Sequence, residues 1–198
     1  MSGIFGVYSV NKENVADELL LGTVALQHKG EEGCGISFVK NSGFYTPKSK
    51  QLAFYFFRDK FNGLKGLREM KPEAAIGHTL YEDTGGLQPG EQWGENHLIS
   101  MAMDGVLLGF GGKNDSVMRT LFSRYLGQTG DYKIATNWLM KKLENRGSYS
   151  TTTLIRRGDE VDMIAFRDPK GIKPFCLGQK KGKNGMKYIV ASETKALD

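Results

Sequence analysis

Short strand-forming runs broken by tight turns, with two separate blocks of helical spacing between them, constrain this chain's fold more than any other feature. Residues 3–8 alternate as a strand does, and residues 14–27 then place Val15, Leu19, Leu20, Val24 and Ala25 close to one helical face. Asn14 is the expected N-cap of that helix and Gly30 its stop. Strands are expected over 35–40 and 44–46, flanking the hairpin turn Asn41-Ser42-Gly43. Residues 52–57 are aromatic and read as β-prone, whereas 61–70 read as a short helix. Strands at 74–79 and 97–103 come next, then two successive amphipathic helices over 116–126 and 131–144. Residues 150–156 and 161–166 form a hairpin across Arg157-Gly158-Asp159, and 187–191 a last strand. Antiparallel strands with two groups of helices predict an α+β chain. The expected architecture is a four-layer α-β-β-α sandwich, helices outside two packed sheets.

At 198 residues the chain suits a single domain spanning 1–198, without repeat, linker or low-complexity segment. Its hydrophobic content of 39% is enough for a core. A net charge of +5 allows weak, nonspecific attraction to polyanions. The basic stretch Lys180-Lys181-Gly182-Lys183-Asn184-Gly185 reads as a solvated hairpin tip. No aromatic residues interleave with it, so no specific nucleic-acid partner is expected. Cys34 and Cys176 show neither metal spacing nor a disulfide framework, and His28, His78 and His97 are scattered. The expectation is therefore no metal, no cofactor, and a reducing cytoplasm. Neither a signal peptide nor a membrane span is expected, since no run approaches the ~18 apolar residues a span needs.

The candidate chemistry starts at Met1-Ser2-Gly3. A small second residue lets the initiator methionine be removed, which would leave a hydroxyl and a free α-amine on Ser2. In N-terminal nucleophile chemistry that amine is the general base for its own side chain. Its pKa of roughly 7.7–8.0 leaves an appreciable unprotonated fraction near neutral pH. Read alone, the same residues also fit an ordinary first strand with a loose start.

Further segments change the odds. Leu26-Gln27-His28-Lys29-Gly30-Glu31-Glu32-Gly33-Cys34-Gly35-Ile36 follows the first helix. Gly77-His78-Thr79-Leu80-Tyr81-Glu82-Asp83-Thr84-Gly85, Met103-Asp104-Gly105 and Asn114-Asp115-Ser116 come after it in order. Gly147-Ser148-Tyr149-Ser150, Phe166-Arg167-Asp168-Pro169-Lys170-Gly171-Ile172-Lys173-Pro174-Phe175 and the stretch from Val190 to Asp198 complete the series. Together these resemble class II glutamine amidotransferases, and in particular the glutaminase domain of amidophosphoribosyltransferases. The resemblance runs from residue 3 to residue 198 and implies the N-terminal nucleophile hydrolase type of α-β-β-α sandwich.

Critical letters differ from that family. Ser2 stands where the family has cysteine, whose thiol is far more acidic and intrinsically nucleophilic. Leu80 stands where an arginine would fork the substrate's α-carboxylate, and leucine cannot imitate it. Asp104 replaces the oxyanion-hole asparagine, and an ionised carboxylate donates no hydrogen bond. Each change has a harmless reading. Ser2 could be engineered or slow, Lys29 could offset Leu80, and a buried Asp104 could be protonated and donate. Other positions survive. By resemblance Asp115 receives the α-ammonium of glutamine, although it equally reads as a helix N-cap. Gly105 offers a backbone N–H for an oxyanion turn or makes a plain tight turn. Tyr81 and Thr84 line the pocket or pack the loop, and Asp168 reads as structural.

Replacing arginine with Leu80 and asparagine with Asp104 shifts the expected pocket towards negative charge. It would then suit an amine or cation better than an amino-acid zwitterion. Only nine residues separate Gly105 from Asp115, fewer than the family's helix-bearing stretch, so a shortened lid is expected. No phosphoribosyl-binding segment follows Leu197. The resemblance thus implies a synthase partner in trans, and it leaves a homo-oligomer open. The sequence reads as a degenerate glutaminase site in a binding or regulatory subunit. The alternative is an active glutamine or amide hydrolase that uses N-terminal Ser2.

Overall fold

Period-two alternation in the first strand sets the layering. The computed structural model describes residues 1–81 and 86–197. Strand β1 (Gly3–Ser9) turns Phe5 and Val7 to one side and Ile4 to the other, and all three are buried. Phe5 and Val7 join a core built with helices α1 (Ala16–Ala25), α2 (Ala53–Phe61) and α3 (Leu64–Glu69). Ile4 faces the opposite sheet, with Ala74, Ile76, Ala102 and Leu154.

The first sheet has seven strands and is antiparallel in every pairing. Besides β1 it contains β2 (Gly33–Lys40), β3 (Gly43–Tyr45), β4 (Lys48–Ser49), β5 (Ala74–Leu80), β10 (Cys176–Lys181) and β11 (Met186–Ala191). Its order is β10-β11-β1-β5-β2-β3, with β4 paired to β2. The second sheet runs β6-β7-β8-β9, from β6 (Gly90–Trp93), β7 (Leu98–Leu107), β8 (Gly147–Arg157) and β9 (Glu160–Arg167). Helices α4 (Asn114–Thr129) and α5 (Tyr132–Lys142) cover its outer face through Met118, Phe122, Leu126, Ala135 and Leu139. The result is the four-layer α-β-β-α sandwich. Each large aliphatic or aromatic side chain buried in it contributes roughly 1.5–3 kcal/mol.

Two local expectations need correction. Residues 52–57 are not a strand: Ala53, Phe56, Phe57 and Phe61 are buried together along one face of α2. The aromatic run has helical spacing, and packing against the sheet outweighs β-propensity. Helix α1 begins at Ala16 with Val15 at the cap position, one residue later than an Asn14 cap implies. Asn14 still accepts a hydrogen bond on Oδ1 from the Ala16 N–H at 3.0 Å.

Helix α5 is capped by Asp131, whose Oδ1 accepts from the N–H groups of Lys133 and Ile134 at 2.6 and 3.1 Å. Replacing Asp131 with alanine is expected to cost about 1 kcal/mol. Thermal denaturation should read this as a drop of roughly 2–4 °C.

Candidate active site

The start of β1 delivers Ser2 to one end of the gap between the sheets. Gly3 makes this possible: a Cβ there would lie 2.5 Å from Thr79 Oγ1 and 2.8 Å from Leu26 Cβ. The Gly3 N–H donates to Thr79 Oγ1 at 3.2 Å, which pins the strand beside β5. Ser2 Oγ accepts from the Tyr81 N–H at 3.3 Å, and the Ser2 N–H donates to Asp104 Oδ1 at 2.9 Å.

Asp104 lies in β7 opposite Ser150 of β8. Its second oxygen accepts from Lys173 Nζ at 2.9 Å, and the two side chains are only 7% and 12% exposed. Lys173 is brought there by Asp168. The buried Asp168 carboxylate accepts from the N–H groups of Ile172 and Lys173, both at 3.1 Å, and folds residues 168–173 into a tight turn. Burial opposes ionisation of Asp168, but these backbone donors outweigh it and hold its pKa below the usual carboxylate value.

Asp115 is the second residue of α4, and Lys113 holds the cap position, so Asp115 is not the N-cap. Its Oδ2 pairs with Arg119 Nη1 at 3.2 Å, one helical turn on, with both side chains largely buried. Gly105 does not form a turn. It continues β7 opposite Tyr149 with φ at +145°, and a Cβ there would lie 2.2 Å from the Ser148 carbonyl oxygen. Leu80, the buried last residue of β5, lines the same cavity, and Tyr81 stands exposed beside it. Thr84 lies outside the described residues.

These groups surround a cavity of about 510 Å³ that includes Ser2, Leu80, Tyr81, Asp104, Gly105 and Asp115. Lys29 is not among them. Its Nζ is buried against Glu193 Oε1 at 3.1 Å, and His28 binds the other oxygen of Glu193 at 2.7 Å. The expected offset of Leu80 by Lys29 is therefore not made, since Lys29 is held by Glu193. Among the described residues, Asp104 and Asp115 are each paired with an internal cation, which offsets the negative charge expected of them. Gln88 adds a brace that sequence reading missed: its amide accepts from the Met103 N–H and donates to the Met103 carbonyl, at 2.8 and 3.1 Å. Arg119 could have been found from its i+4 spacing to Asp115. Nothing local marks Gln88.

The rim is open. Residues 108–113 join β7 directly to α4, and Val106 and Leu108 are more than half exposed. Further in, His78 follows Ala74 and Ile76 on the inter-sheet side of β5. Burial lowers its pKa to about 4, with Asp104 pulling the other way, so the imidazole is neutral at pH 7. Among the described residues, no cluster of three His, Cys, Asp or Glu side chains suits a metal ion. No helix among them is long and apolar enough to cross a membrane.

No family model matches the chain. It is 33% identical to the amidophosphoribosyltransferase of Methanocaldococcus jannaschii over 217 residues, covering 100% of this chain and 43% of that protein. The Escherichia coli amidophosphoribosyltransferase is 28% identical over 224 residues, covering 99% and 42%. Among solved structures, the glutamine phosphoribosylpyrophosphate amidotransferase of B. subtilis, complexed with ADP and GMP, matches at 26% identity. Its TM-score is 0.74, over 99% of this chain and 43% of that one. The chain thus spans less than half the length of the relatives it matches.

Proposed function

From a chain that is a class II, N-terminal-nucleophile type glutamine amidotransferase domain similar to amidophosphoribosyltransferases, we propose a degenerate glutaminase site. In this reading the domain is a non-catalytic binding or regulatory subunit. One observation carries it: the group beside Ser2 is a carboxylate, with one oxygen on the Ser2 N–H and the other on Lys173.

Such a carboxylate offers no hydrogen bond to a developing oxyanion and repels its charge. Losing a single oxyanion donor costs roughly a hundred- to a thousandfold in rate. Asp104 also works against the base. With Met1 in place, the Ser2 nitrogen is an amide and cannot take up a proton. With Met1 removed, it is an ammonium in contact with a carboxylate, which favours its protonated form and makes it a poor base. Leu80 compounds the effect by supplying no charge for an α-carboxylate.

The domain is proposed to act as a single unit over residues 1–198, together with a synthase partner. Protein with its N-terminus verified by mass spectrometry should release ammonia from glutamine no faster than buffer. Turnover near 1 s⁻¹ or above, an ordinary enzymatic pace of about 1–10³ s⁻¹, would instead establish Ser2 as a working nucleophile.

A further inference from the structure

We propose that Arg119 is a specificity-determining residue of this cavity, which takes a short carboxylic acid lacking an α-ammonium group. The inference rests on reading the cavity as a non-hydrolysing binding site, and it names the ligand class.

Ammonium recognition needs a carboxylate oxygen that the ligand can reach. Asp104 has both oxygens engaged, by Lys173 and the Ser2 N–H. Asp115 has Oδ2 on Arg119, and its Oδ1 has no partner but is closed off from solvent. An entering ammonium would have to displace the Arg119 guanidinium. That group is 14% exposed and packed against the backbone of Gly90 in β6, which leaves it little room to swing away.

The rest of the cavity suits a ligand with one anionic end. Leu80, Met103 and Val106 provide apolar contact for a short carbon chain. Lys113 stands at the rim, exposed and without an ion-pair partner among the described residues, where it can meet a carboxylate. Arg119 thus commits the reachable oxygen of the acid most suited to an amine to an internal pair.

Calorimetric titration with glutamine and with glutaramate, the same molecule without its α-amino group, tests this. The parent protein should bind glutaramate at least about tenfold tighter, the scale of one charge-assisted hydrogen bond. Arg119→Leu should uncover Asp115 and reverse the preference by a similar factor, while Arg119→Lys keeps the parent's order. Arg119→Gln provides the same reading if the leucine variant does not fold. A parent that prefers glutamine, or that binds neither compound, overturns the proposal. So does an unchanged ratio in the leucine or glutamine variant. Ammonia release during the titration would instead count against the non-catalytic reading, so the two failures are separable.

Discussion

A variant carrying Ser2→Cys, Leu80→Arg and Asp104→Asn together is expected to release ammonia from glutamine at least about a hundredfold faster than the parent chain, the cost of one missing oxyanion donor. Each change removes a different obstacle. The thiol is nucleophilic without strong activation. The arginine supplies a planar fork for the α-carboxylate at the end of β5, where Leu80 now lines the cavity. The asparagine restores a donor and frees Lys173, whose cation would then face the developing oxyanion instead of Asp104. Ser2→Cys alone should stay near background, because Asp104 still holds the nitrogen beside it. Ammonia release by all three single variants and the triple, on protein proven to lack Met1, decides the matter. Equal activity in the single Ser2→Cys variant and the triple would mean that Asp104 and Leu80 are not the obstacles.

Acidification from pH 7 to pH 5 is expected to weaken the fold by about 2 kcal/mol through His78 alone, at ~1.4 kcal/mol per pH unit. The sign follows from protons bound in each state. Unfolded, the imidazole titrates near its usual 6.5; folded, burial lowers it to about 4. Between these values the unfolded chain binds the extra proton, so stability rises with pH through that window and is lost as pH falls. Urea midpoints at pH 7 and 5 should therefore differ, and His78→Leu should flatten the slope. His97, whose pKa burial also lowers, adds a contribution of the same sign. Carboxylates such as Asp168 contribute in a separate range. Their stabilisation is present above the ordinary carboxylate pKa and fades as pH drops through the lowered folded value. A midpoint unaffected by pH in the parent would show that His78 is solvated or partnered in a way burial does not allow.

Much of the architecture was legible because turns punctuate it. Asn41-Ser42-Gly43 and Arg157-Gly158-Asp159 bracket the β2–β3 and β8–β9 hairpins that form. Strand β6 escaped notice because four residues, two of them Glu91 and Gln92, give too short a pattern. Strand β10 escaped because its exposed edge is polar apart from Cys176 and Leu177. The site was legible in half of each charge pair. Motif order points to Ser2, Asp104 and Asp115, and they do border one cavity. The cation that answers Asp104 comes from 69 residues away, and only the folded turn at Asp168 brings it there. Summing charges along a chain counts acids correctly and says nothing about what each one faces.

Strand β1 is clasped between β5 and β11, and Ile4 exchanges hydrogen bonds with Ser192, 188 residues downstream, at 3.1 and 3.0 Å. A nascent chain still missing its last strand has nothing to hold its first one on that side. Such a distant pairing slows folding, because long-range closure entropy must be met before the contact rewards it. The strand that carries Ser2 therefore gains its full set of neighbours only once the chain as far as Ser192 is available to pair with it.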